Sequence, residues 1–129
     1  MVNKVVITAF SKNVQLSSRE VTVDDYYDEE HPEFDDRDYI REHGIDRVEI
    51  VMDAYGEHKE YTNHYDEQGR LFRSEDNENG VPAVEEISYD ADGRPHTTKY
   101  LPKNSTRFSE KDIAAIKNLG INVVIKDEQ

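Results

Sequence analysis

His58 and His64 lie six residues apart, an even separation that puts both side chains on one face of a strand, together with Glu60 and Thr62. A His/His/Glu set on one face could ligate a divalent metal, although solvent-facing polar residues produce the same pattern. A second arrangement is Glu75-x-Asn77-x-Asn79-Gly80 followed by Glu86. It matches positions 1, 3, 5, 6 and 12 of an EF-hand calcium loop. Glu stands where Asp is expected at the first position. Pro82 replaces the usual apolar residue, and no helices flank the stretch. These residues are better read as turn formers, so the sequence implies no cofactor and no metal.

No other pattern points to catalysis. The chain has no Walker loop, G-x-G-x-x-G, nucleophile elbow or H-E-x-x-H, and acidic residues are too abundant for any carboxylate pair to stand out. With no cysteine there is no disulfide, thiol nucleophile or thiolate metal site, which fits a reducing compartment such as the cytoplasm. A non-catalytic protein is expected.

Charge carries more information. The net charge is −13 over 129 residues, and residues 20–66 account for it, with 17 acidic and 4 basic side chains. Residues 1–19 hold three basic side chains and no acidic one. The densest part is EVTVDDYYDEEHPEFDDRDY, residues 20–39, with ten acids, one base and four aromatics. Acids at Asp24, Asp25, Asp28, Glu29, Glu30, Glu33, Asp35, Asp36 and Asp38 surround Tyr26, Tyr27 and Phe34. Aromatic rings can anchor a partner and carboxylates can steer a basic one. A field of this sign repels nucleic acid and acidic membranes. The expected partner is therefore a basic protein, such as a nuclease, a nucleic-acid-binding effector or a toxin, with no direct nucleic-acid or membrane contact. By analogy, small acidic proteins of phages and mobile elements block nucleic-acid-processing enzymes by imitating a phosphate array, and immunity proteins neutralise toxins. The plain alternative is a solvated acidic loop.

The elements that must hold these residues follow from periodicity. Apolar residues make up 35% of the chain, charged residues also 35%, and mean hydropathy is −0.93. The core must be lean, and the length suits a single domain, 1–129. No run approaches 18 apolar residues, so no membrane span is expected, and the short N-terminal apolar run does not resemble a signal peptide. The sequon at 104–106 is given no weight. KVVITAF (4–10) reads as a buried strand. NVQLSSREVTV (13–23) reads as its hairpin partner, with Val14, Leu16, Val21 and Val23 inward. Within an acidic loop of 20–44, a short helix is expected at 35–43, anchored by Phe34, Tyr39 and Ile40 and ended by Gly44. From 45 to 101, short strands alternate with turns that begin with Asp and end with Gly at 56, 69, 80 and 93, the pattern of an antiparallel meander. FSEKDIAAIKNLG (108–120) is a helix capped by Ser109 and Asp112, with Ile113, Ile116 and Leu119 inward. INVVIKD is a last strand, so the C-terminal unit spans 108–126.

The meander contains Tyr-Asp-x-x-Gly-Arg twice, as Tyr65, Asp66, Gly69, Arg70 and as Tyr89, Asp90, Gly93, Arg94. This resembles the YD repeats of RHS-type proteins over residues 64–95. In that family many repeats wind into a shell around a toxin, but two repeats do not close a shell, and Pro95 departs from the apolar residue usual after the Arg. The resemblance implies a meander and no encapsulation. Physically, each Asp caps its turn, each Gly takes a positive φ, and each Arg can lie over the next Tyr or pair with a nearby acid. The expected fold is α+β: an antiparallel β-meander sheet with a C-terminal helix packed on one face and a short helix near 35–43.

Overall fold

The computed structural model describes residues 3–103 and 107–126. Among them eight strands form one sheet, β1 (Lys4–Ser11), β2 (Val14–Thr22), β3 (Arg47–Ala54), β4 (Glu57–Tyr65), β5 (Leu71–Glu78), β6 (Val81–Tyr89), β7 (Pro95–Pro102) and β8 (Asn122–Lys126). Their spatial order is β2-β1-β3-β4-β5-β6-β7-β8. Every pair is antiparallel except β7–β8, which is parallel. Four short helices also occur among the described residues: α1 (Val23–Asp28), α2 (Pro32–Asp35), α3 (Arg37–Glu42) and α4 (Glu110–Asn118). The expected sheet-plus-helix architecture is present, and no helix among the described residues is long and apolar enough to cross a membrane.

Turn chemistry divides the hairpins into two kinds. The β1–β2, β3–β4 and β5–β6 turns are two-residue turns with both residues at positive φ: Lys12-Asn13 (49°, 65°), Tyr55-Gly56 (53°, 78°) and Asn79-Gly80 (54°, 88°). Such turns match the right-handed twist of the strands they join. They are tighter than the four- and five-residue turns expected at 53–56 and 76–80. Asp76, Asn77 and Glu78 therefore belong to β5 rather than to a loop.

The Tyr-Asp turns form the second kind. Asp66 Oδ1 accepts from the amides of Gln68 and Arg70, both at 2.9 Å. Asp90 Oδ1 accepts from those of Asp92 and Arg94, again at 2.9 Å. Between repeats, the Arg70 guanidinium lies 4.4 Å from the centre of the Tyr89 ring, and the Tyr89 hydroxyl donates to the Leu71 carbonyl at 2.6 Å. The second repeat is thus pinned to the first by the arginine-on-tyrosine contact that the motif suggests.

The core occupies one face of the sheet. Val5, Ile7 and Ala9 of β1 stand opposite Met52, Ile50 and Val48 of β3, and all six are buried. Val23, Ile40, Ile45 and Tyr65 complete the cluster. Strict alternation in β1 and β3 produces this face, because successive side chains point to opposite sides of a strand. Two inward assignments in the sequence are corrected. Val14 and Leu16 are 62% and 48% exposed. β2 is an edge strand, and its register with β1 shifts so that Leu16 has no partner between Ser17 and Gln15. Val23 does point inward, but from α1, because the Thr22 hydroxyl accepts from the Asp25 amide at 3.1 Å and starts a helix there.

The C-terminal unit also differs from expectation. The capping box of Ser109 and Asp112 is present. α4 buries none of its residues, Leu119 is 77% exposed, and Ile113 and Ile116 are only half-buried. The helix serves as the crossover that makes β8 parallel to β7, since parallel neighbours need a long connection. The sequon at 104–106 lies outside the described residues.

Candidate protein-binding surface

The segment 23–42, expected as a mostly irregular loop, folds as three short helices that cover the buried face of the sheet. Each helix has a local cause. Thr22 caps α1, and Asp24 and Asp25 sit in its first turn, where the helix dipole favours anions. Pro32 opens α2, where a missing amide donor costs nothing. Asp36 caps α3 by accepting from the amides of Asp38 and Tyr39 at 3.0 and 3.1 Å. This refines the expected helix at 35–43 to Arg37–Glu42.

Two attachments hold the cap to the sheet. The first centres on Arg19 of β2. Its guanidinium donates to both Glu33 carboxylate oxygens, at 3.0 and 2.8 Å, and reaches Nδ1 of His31. An arginine can only donate, so His31 Nδ1 is the acceptor and its proton sits on Nε2, which donates to the Tyr26 carbonyl at 2.8 Å. The His31 ring packs against Tyr26 and Phe34, with centroids 5.3 and 5.2 Å away, and those two rings are 6.2 Å from each other, so the three form a cluster. Burial pushes the Glu33 carboxyl up, but the Arg19 hydrogen bonds and charge outweigh it and hold it below the usual range. The second attachment is the first Tyr-Asp turn. Arg37 of α3 donates to the Gln68 carbonyl at 3.1 Å. A Cβ on Gly69 would lie 2.5 Å from the Arg37 carbonyl oxygen, so only glycine lets the turn and helix meet. Nearby, burial pushes the Tyr65 hydroxyl up to about 12.

This arrangement sorts the twelve expected contact residues. Glu33 is buried, and Tyr26 and Phe34 are half-buried. Their side chains anchor the cap, because the apolar sheet face demands cover and the Glu33 charge is satisfied by Arg19. Asp24, Asp25, Tyr27 and Asp28 on α1, with Glu29 and Glu30 after it, are exposed, and Tyr27 is 70% exposed. Asp35, Asp36 and Asp38 are exposed as well, but each has a local partner. Asp35 accepts from the His31 amide, Asp36 caps α3, and Asp38 pairs with Arg41 at 3.0 Å. Among the described residues, no ion pair neutralises Asp24, Asp25, Asp28, Glu29 or Glu30. The least compensated acids are therefore the sequence neighbours of the exposed Tyr27. Glu30 also lines an open depression of 690 Å³ with Pro32, Asp35, Asp36, Arg37 and Asp38, whereas Tyr27 lines a separate one with Val23, Tyr55 and Lys59. Arg19 and His31 had no distinguishing signal of their own in the sequence. Thr22, three residues before Asp25, was a readable helix start.

The arrangements that suggested metal binding resolve differently. His58, Glu60, Thr62 and His64 do share the outer face of β4, but six residues of strand span roughly 20 Å, too far for the two histidines to share an ion. His58 contacts Asp53 and Glu60 at 2.5 and 3.3 Å, whereas His64 faces Glu75 at 3.8 Å. The Asp53 and Glu60 hydrogen bonds raise the His58 pKa. Residues 75–86 form the β5–β6 hairpin instead of a loop, and Arg73 bridges Glu75 and Glu86 at 2.8 and 3.2 Å. No group of three potential metal ligands occurs among the described residues.

The chain matches no family model, no curated protein and no solved structure.

Proposed function

We propose that this is a non-catalytic interaction protein that binds a basic, nucleic-acid-processing protein through the outer surface of its helical cap and inhibits it. The observation that carries this reading is the uncompensated acidic surface around Tyr27, displayed on helices whose other faces are pinned by Arg19 and by the first Tyr-Asp turn. Fixed carboxylates cost less to order on binding than a mobile acidic loop would. They steer a cationic partner and can take the place of backbone phosphates in its groove, while an exposed tyrosine supplies apolar contact area. The absence of cysteine fits work in the reducing cytoplasm.

The test is binding to a basic nuclease or DNA-binding protein across a salt series, with enzyme activity measured alongside. Affinity should fall steeply between low and high salt. The triple substitution Asp24→Asn, Asp25→Asn, Asp28→Asn should weaken it at least about tenfold while leaving the fold intact. Affinity indifferent to salt, or to this triple substitution, would sink the electrostatic reading.

A further inference from the structure

The two ends of the sheet differ in charge and in how completely they are buried. The cap lies at the β2–β1–β3–β4 end. At the other end, α4 and β8 form a unit in which no residue is buried. Leu119, Val124 and Ile125 are 77%, 38% and 46% exposed. The outer edge of β8 has no strand beside it among the described residues, and residues 122–125 carry neither charge nor proline. Unguarded apolar edges of this kind pair with other strands. The opposite edge, β2, is interrupted at Leu16 by its register shift, a common way of blunting an edge.

Charge identifies what can cover β8. A chain of net charge −13 repels its own copies over most of its surface, yet residues 101–129 hold five basic and four acidic side chains. α1 adjoins β1 and β2, six and seven strands away from β8. That is roughly 30 Å at about 4.8 Å per strand, several times the Debye length of about 8 Å in physiological salt. This end is therefore where two copies can approach without bringing their acidic caps together.

We propose that β8 pairs antiparallel with β8 of a second copy about a two-fold axis at Val124, joining two sheets into one. In this register Val123 faces Ile125 of the other copy on one side of the sheet, Val124 faces its own counterpart on the other, and Asn122 faces Lys126. All the apolar residues of the strand gain apolar cross-strand neighbours, which is the unit of sheet stabilisation. An isologous contact of this kind closes on itself, and it leaves the two acidic caps at opposite ends, free for separate partners.

Light scattering coupled to size exclusion, run across a range of protein concentrations, tests the proposal. The 15.0 kDa chain should approach twice that mass as concentration rises. Val124→Lys places two like charges opposite each other at the axis and should weaken the dimer at least about tenfold, with an unchanged circular dichroism spectrum. Val14→Lys on the other edge should leave it intact. Because the chain has no cysteine, Val124→Cys offers a second measurement that keeps an apolar side chain. Facing residues in an antiparallel pair have Cα atoms about 4.5–5.5 Å apart, within disulfide reach. Diamide should therefore cross-link this variant and should not cross-link Leu16→Cys. A monomer at the highest concentration, a dimer broken by Val14→Lys instead of Val124→Lys, or open-ended assembly would overturn it.

Discussion

Replacing Arg19 by Met tests whether the cap is held through one buried ion pair. Removing one partner of a fully buried pair costs about 3–5 kcal/mol, because the other charge stays behind unpaired. Here the Glu33 side chain is 10% exposed and Arg19 is 35% exposed. Water reaches the arginine side and lowers the cost to about 2 kcal/mol. His31 Nδ1 also loses its donor, which adds about 1 kcal/mol. Arg19→Met should therefore destabilise by about 3 kcal/mol. The double variant Arg19→Met, Glu33→Leu removes both charges. It should recover to within about 1 kcal/mol of the parent, with His31 as the residual cost. Urea denaturation followed by circular dichroism measures both. The pH dependence gives an independent check. The folded-state pKa of Glu33 is lowered, so its contribution is present above the ordinary carboxylate range and disappears as pH falls through the lowered value. Without Arg19, burial becomes the largest influence on Glu33, opposed by a backbone hydrogen bond and the neighbouring His31; its pKa rises and the sign reverses, so the single variant should gain stability as pH falls through that raised value. A single variant costing under about 1 kcal/mol, a double as unstable as the single, or no reversal in slope would refute the reasoning.

Other expectations follow from the same geometry. Gly69 and Gly93 occupy matching turn positions at φ of 79° and 80°, but only Gly69 is crowded. Alanine at either site should cost about 1 kcal/mol of backbone strain, and Gly69→Ala should cost at least about 1 kcal/mol more, as measured by urea midpoints. Tyr89→Phe removes the 2.6 Å bond to the Leu71 carbonyl and should destabilise by about 1 kcal/mol, whereas Tyr27→Phe, at an exposed site, should change stability by less than about 0.5 kcal/mol. The raised His58 pKa depends first on Asp53. An NMR titration should place His58 above an ordinary histidine, and Asp53→Asn should bring it down. Any stability this contact contributes is present below the ordinary histidine range and lost as pH rises through the folded value.

The parts of the fold legible in the sequence were those set by neighbours along the chain. Alternation in β1 and β3, the Asp-x-x-Gly turns and the Ser109–Asp112 capping box depend on backbone geometry and on contacts a few residues long. The position of Val14 and Leu16 was not legible, because alternation specifies two faces without saying which is covered, or whether an edge strand is covered at all. The parallel placement of β8 was hidden for a similar reason. A helix between two strands permits a crossover but does not name the neighbour.

The acidic segment separates the two levels most clearly. Its charge, its aromatic residues and its helix-starting residues Thr22, Pro32 and Asp36 are properties of the sequence, and they sufficed to single out the segment as the candidate surface on which the proposed function rests. Which of its residues face outward was decided only by folding. The apolar face of β1 and β3 required cover, and the segment provides it with Val23, Ile40, His31 and Phe34. Glu33, one acid among many in the sequence, became buried because Arg19, fourteen residues earlier, points from β2 toward the same face. Burial of a charge depends on a partner brought close by tertiary packing, and spacing along the chain does not encode that partner.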